Sequence, residues 1–261
     1  MKILFVGDIV GRPGRQMLAR HLASLIDRHL LDLVVANAEN AAAGFGVTPD
    51  VVDELFGMGV DVLTSGNHIW DKKDSLPILE QERRLLRPAN YPPGLPGKGW
   101  GVFLTSADVP VAVINLEGRV FMNNLDCPFR AADAILGELA GTARIVLVDF
   151  HAETTSEKGA MGSYLDGRVS AVLGTHTHVQ TADERLLPGG TAFISDAGMT
   201  GSRDSVIGIR KELSVERFLT QLPVRFEVAK KEPMLCGVVV TVDEATGCAL
   251  GIERVQIVDK E

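Results

Sequence analysis

Four of the six histidines in this sequence stand with acids and amides just after apolar runs. Asp8 follows the run at residues 3–6, and Asn37, Glu39 and Asn40 follow residues 31–36. Asn67 and His68 come after residues 60–64, His151 after residues 145–150, and His176 and His178 after residues 171–173. Side chains of these types ligate divalent cations. Two such cations ~4 Å apart repel each other and need an anionic bridge among oxygen and nitrogen donors. Glu39 suits the bridge, and Asp8 adds a second carboxylate. Imidazoles and amide oxygens complete the shells without excess charge. The chemistry open to such a pair is hydrolysis by metal-activated water, because metal binding brings the pKa of water near neutrality.

Each residue alone has a plainer reading. A structural histidine is the ordinary account of His151, and an isolated His-x-His is a weak signal. His176 and His178 are two apart, so in an extended segment both side chains point one way. Recurrence at five strand ends is what singles out a site. His21 and His29 lack that setting and read as surface or packing residues. Gly7, Gly11, Gly44, Gly46, Gly66 and Gly174 flank the same strand ends, where tight turns explain most of them. Gly11-Arg12-Pro13-Gly14 opens a helix whose N-terminus suits an anion, and Arg12 could neutralise a phosphate oxygen there.

The elements that must position these residues alternate. Residues 3–6, 31–36, 60–64, 111–115, 145–150, 171–173 and 191–194 read as strands. Residues 13–29 carry Met17, Leu18, Leu22, Leu25 and Ile26 at helical spacing. Thr48 and Pro49 predict an N-cap and first turn for a helix ending near Gly57 or Gly59, and residues 129–140 predict another. Residues 90–101 are rich in proline and glycine and predict a loop. Residues 223–228 alternate strictly and predict a strand, as do residues 235–242 and 250–258. The fold class is α/β, with two packed β-sheets and helices outside. Ligand sites in such sheets gather beyond the carboxyl ends of the strands.

Composition narrows the function. Apolar residues make up 46% and charged residues 23% of the 261, an ordinary globular balance. A net charge of −8 argues against stable nucleic-acid binding but not against a small phosphorylated ligand beside metal. Cys127, Cys236 and Cys248 are odd in number and lack a CxxC spacing, which disfavours a disulfide framework or thiolate zinc and fits a cytoplasmic location. Asp8 ends the first apolar run too early for a signal peptide or a spanning helix. Phe45, Trp70, Trp100, Phe121 and Met122 read first as packing residues, with base stacking or a homo-oligomer contact as alternatives.

Taken in order, Gly7-Asp8, Ala38-Glu39-Asn40, Gly66-Asn67-His68, Phe150-His151-Ala152 and Gly174-Thr175-His176-Thr177-His178 resemble the motifs of the calcineurin-like metallophosphoesterases. Those motifs are D-x-H, GD, GNH followed by an acid, a lone histidine and GHxH. Val10 takes the place of the first motif's histidine, Glu39 stands for aspartate, and Asp71 is displaced from the position after His68. The departures themselves resemble the YmdB-type bacterial metallophosphoesterases, and the similarity runs nearly end to end, through Ser195-Asp196-Ala197-Gly198-Met199-Thr200-Gly201.

The resemblance implies a single sandwich domain over residues 1–261. It implies two metal ions, iron or manganese with zinc or magnesium as alternatives. It implies hydrolysis of 2',3'-cyclic nucleotides, notably 2',3'-cyclic AMP, and a regulatory role. One metal would take Asp8, Glu39, Asn40 and His178, with Asn40 replacing the ligand lost at Val10. The other would take Glu39, Asn67, His151 and His176. Asn67 would also hold phosphate, and His68, outside the ligand set, would protonate the leaving ribose oxygen. A phosphomonoesterase or nucleotidase, and a nucleotide-sensing regulator with weak hydrolase activity, remain as alternatives.

Overall fold

In the computed structural model, which describes residues 1–259, neighbouring residues of the first strand enter different cores. β1 (Lys2–Val6) sends Ile3 and Phe5 to one side and Leu4 and Val6 to the other. Both faces are covered, so the run is apolar without alternation. The same division recurs at Val111 and Val113 against Ala112 and Ile114.

The first sheet joins β1 in parallel to β3 (Leu33–Asn37), which pairs in parallel with β4 (Val62–Thr64). On its other side β1 meets β12 (Pro233–Val242) antiparallel, and β12 meets β13 (Ala249–Val258). β11 (Met199–Ser202) pairs with β12 and carries the short β2 (Asp8–Ile9). The second sheet runs β5 (Trp100–Leu104), β6 (Pro110–Glu117), β7 (Ile145–His151), β8 (Ala171–Thr175), β10 (Ala192–Ile194) and β9 (Arg185–Leu186). From β6 to β10 it is parallel.

Three cores hold four layers together. Ile3, Phe5, Val35 and Val62 of one sheet meet Val113, Leu147 and Leu173 of the other. On the outer face of the first sheet, α1 (Gly11–His29) and α2 (Pro49–Gly57) bury Met17, Leu18, Leu22, Val52 and Leu55. On the outer face of the second, α4 (Pro128–Leu139) and α5 (Thr155–Leu165) bury Ile135, Leu139, Met161 and Leu165. Each such side chain contributes roughly 1.5–3 kcal/mol by leaving water. Truncation of Leu22 to alanine would cost about 2–5 kcal/mol.

Several expectations need correction. Residues 223–228 form no strand. They touch the neighbouring loop through Arg210 N–H to the Glu227 carbonyl and Ala229 N–H to the Gly208 carbonyl, with one bridge at Val228. Their alternation reflects two different contacts, not a sheet face: Phe226 lines a cavity and Val228 packs on Gly11 and Gly44. The loop expected through residue 101 ends earlier, because β5 begins at Trp100. Thr48 is the extended residue before α2, but its hydroxyl makes no capping bond. Helices α3 (Ser75–Gln81), α5 and α6 (Lys211–Thr220) have no counterpart among the elements expected from the sequence. No helix among the described residues is long and apolar enough to cross a membrane.

Candidate metal centre

The strands of both sheets deliver the polar residues to one edge of the sandwich. Asp8 starts β2, Glu39 and Asn40 follow β3, and His151 closes β7. Asn67 and His68 lie in a 3-10 turn (Asn67–Trp70), not in an extended segment. His176 and His178 follow β8 at φ 95 and φ 66, so the extended geometry expected for them is not what they adopt. They reach the site because Asp196 clamps the residue between them. The Thr177 N–H and hydroxyl both donate to Asp196 Oδ2, at 3.0 and 2.6 Å. Lys158, buried like Asp196, donates to the same oxygen at 2.8 Å.

Two groups of ligand atoms share Glu39: one is Glu39, His151 and His176, the other Asp8, Glu39 and His178. His151 Nε2 lies 3.2 Å from Glu39 Oε1 and 3.0 Å from His176 Nδ1. Asp8 Oδ1 lies 3.8 Å from His151 Nδ1 and 3.9 Å from His178 Nε2. That oxygen is buried and has no hydrogen-bond partner. An ionised carboxylate oxygen in that state is costly unless a cation meets it. Asn67 Oδ1 faces His151 Nε2 at 3.1 Å, and Asn40 Nδ2 lies 3.3 Å from His178 Nε2. Gly66 leaves the necessary space, since a Cβ there would sit 2.2 Å from the His151 ring and 2.4 Å from Glu39 Oε2. The donor set and this cradle fit divalent cations.

The far side of each ring fixes which nitrogen is free. His151 Nδ1 pairs with Thr175 Oγ1 at 2.9 Å, and that hydroxyl donates to Asp149 at 2.7 Å. His178 Nδ1 donates to the Ile207 carbonyl at 2.9 Å. His176 Nε2 pairs with Glu153 Oε2 at 3.1 Å. These bonds hold a proton on the outer nitrogen, so a cation that displaced any inner proton would meet a lone-pair donor.

Electrostatics inside the cluster are divided. Burial alone would push His151 toward neutrality, but Glu39, Asp8 and Asp149 outweigh it and raise the ring to about 9. Burial, then the His151 charge, pushes His176 down to about 3. Burial opposes ionisation of Glu39, yet His151 and His68 hold its carboxyl down at about 2. Asp8 moves the other way, raised by burial. Burial also lifts Asp149 to about 6.

His68 is half-buried beside this cluster. Its Nδ1 pairs with Asp71 Oδ2 at 2.8 Å, so the acid displaced in sequence comes back across one turn of the 3-10 segment. Its backbone N–H donates to Glu39 Oε2 at 3.1 Å. Arg12 is exposed at the start of α1 and does not line the cavity that His68, Glu39 and His178 line. Asn37 is also drawn behind the site, where its amide donates to Asp149 at 3.0 Å. Glu153, Asp149 and Asp196 were missed in the sequence. The signal for the first two was alternation in Asp149-Phe150-His151-Ala152-Glu153, which places acids two residues either side of the histidine.

The fold is a four-layer sandwich with cation-competent side chains gathered at its strand ends, an arrangement suited to a metal-dependent hydrolase. The chain belongs to the YmdB-like protein family, whose model matches residues 4–255. It is 48% identical over 259 residues to a 2',3'-cyclic-nucleotide 2'-phosphodiesterase of Bacillus subtilis, covering 99% of this chain and 98% of that one. Among solved structures, a hypothetical protein from Thermus thermophilus superposes with a TM-score of 0.94 at 42% identity, covering 100% of both chains. A phosphatase from Mycoplasma pneumoniae superposes with a TM-score of 0.92 at 36% identity, covering 99% of this chain and 93% of that one.

Proposed function

We propose that this chain is a dinuclear metal-dependent phosphodiesterase that hydrolyses 2',3'-cyclic nucleotides. The observation that carries the reading is Glu39 shared between two ligand groups, with the orphaned Asp8 oxygen on one side and His151 and His176 on the other. Asp8, Glu39, Asn40 and His178 would hold one ion, and Glu39, Asn67, His151 and His176 the other. Bound cations would polarise phosphoryl oxygens and make hydroxide available near neutral pH. Iron or manganese suits this mixed oxygen and nitrogen set, and zinc or magnesium is the alternative.

The chain's own residues do the rest. The Asn67 side chain orients the phosphate. Asp71 accepts from His68 Nδ1, and in the imidazolium form the second proton, on Nε2, would pass to the leaving ribose oxygen and leave a neutral ring. The outer partners Thr175, Glu153 and the Ile207 carbonyl keep the three ligand imidazoles in register. The relative from Bacillus subtilis supports a cyclic diester as substrate. A regulatory role would follow from control of that nucleotide's level. Three cysteines without a disulfide agree with a reducing, cytoplasmic setting.

The test is a substrate panel on metal-loaded protein. The kcat/KM for 2',3'-cyclic AMP should exceed that for single-stranded RNA and for nucleoside monophosphates. Preference for the monoesters would replace this reading with a nucleotidase.

A further inference from the structure

The metal centre forms only one wall of a cavity of about 440 Å³. The remaining lining is made by Val10, Phe45, Ile207, Ile209 and Phe226. This second wall is apolar, yet Ile207 is 53% and Phe226 39% exposed. Leaving such side chains wet beside an ionic site forgoes burial energy, unless something flat and apolar covers them.

The wall is built in advance. Ile207 sits at φ 47, a left-handed conformation in which a β-branched residue is strained. Such strain persists where the surroundings over-determine it, and it clusters at ligand sites. Here Val206 and Ile209 exchange backbone hydrogen bonds across Ile207, and Gly208 N–H donates to Ser205 Oγ. The Ile207 carbonyl holds His178, so one residue ties the apolar wall to the metal centre. The strap that carries Phe226 is pinned two residues later. Val228 sits where Cβ atoms on Gly11 and Gly44 would be, at 3.0 and 2.8 Å. Phe45 stands edge-on to His68, the proposed proton donor, with ring centroids 5.1 Å apart.

We propose that Phe45, Ile207 and Phe226 form a stacking wall for the nucleobase of the substrate, and that this wall selects nucleoside cyclic phosphates over cyclic phosphates without a base. The inference rests on the cyclic-nucleotide reading above. The wall reads the base by its face. The polar neighbours that could read a base edge are already engaged, Thr177 with Asp196 and Glu153 with His176. All four bases are therefore accepted, with purines favoured by their larger face.

The experiment compares kcat/KM for 2',3'-cyclic AMP and 2',3'-cyclic UMP with that for glycerol 1,2-cyclic phosphate, in metal-loaded protein. Wild type should favour both nucleotides over the glycerol ester. Phe226→Ala and Phe45→Ala should each lower that ratio by roughly tenfold to a hundredfold, the range for loss of a base–aromatic stack. Phe226→Tyr should restore it. Ile207→Gly should lower the ratio without lowering Tm, because glycine accepts this φ. Equal turnover of nucleotide and glycerol esters by wild type, or a ratio unmoved by both alanine variants, overturns the wall and leaves the phosphodiesterase reading intact. Wild type that turns over no cyclic phosphate overturns both.

Discussion

Glu153 Oε2 lies 3.1 Å from His176 Nε2, on the opposite side of the ring from the nitrogen that faces His151. The carboxylate thus holds the proton on the outer nitrogen and turns Nδ1 toward the Glu39 and His151 group that could hold a cation. Removing such a partner lowers metal affinity by about 10–100-fold. Glu153→Ala should show that loss in a metal titration, with Glu153→Gln intermediate because an amide oxygen still accepts the bond. Affinity unchanged in both variants would remove Glu153 from the account.

His68 and the ligand histidines should separate in one set of measurements. His68→Ala should keep its cations and lose about 10²–10⁴-fold in kcat, the usual contribution of a positioned proton donor. His151→Ala and His176→Ala should lose metal first. Asp71→Asn should fall between wild type and His68→Ala in kcat and shift the pH profile, since it weakens the hold on His68 Nδ1. The loss at His68 should be larger for an alkoxide leaving group than for an activated aryl phosphate. Equal loss on both would make His68 a phosphate-positioning residue.

Gly66 offers a test of space alone. Its φ of −153 lies outside the left-handed region, so an added methyl acts chiefly through contact with His151 and Glu39. Gly66→Ala should fold and lose cation affinity at the shared carboxylate. Full metal content in that variant would mean the cradle yields more easily than the distances imply.

Much of this candidate site was legible because each candidate ligand follows an apolar run, and such runs mark strands buried on both faces. What escaped notice had physical reasons. α5 buries Glu157 and Lys158 alongside Met161 and Leu165, so its inner face carries charges and the helical period is masked. α6 buries only Ser214 and leaves Val215, Phe218 and Leu219 exposed, so its pattern reports no core. The backbone of His176 and His178 departs from the extended form because Asp196, 19 residues further along, clamps Thr177, a contact with no local signature. Phe226 and Val228 alternate as a strand would, yet serve a cavity and a glycine pair.

Thiol chemistry follows from different surroundings. Burial lifts the Cys236 thiol to about 11. For Cys127 burial is outweighed by the backbone N–H groups of Arg130 and Phe129 and by nearby arginines, which draw its pKa below that of an ordinary thiol. The thiolate is the nucleophile, so Cys127 should alkylate with iodoacetamide at lower pH than a free thiol. Cys236 should stay unlabelled at about pH 8 until the protein is denatured. Mass spectrometry of native and unfolded samples checks this, and labelling of Cys236 in the native state would contradict its place in β12.

Two cations are expected to share Glu39. Anomalous scattering from crystals of the metal-loaded protein, collected at the metal's absorption edge, tests it directly. Two peaks ~4 Å apart are expected, the separation of two-metal sites. One should lie against Asp8 and His178, the other against His151 and His176, with the Glu39 carboxylate between them. A single peak in fully loaded protein, or two peaks that do not both contact Glu39, would contradict it.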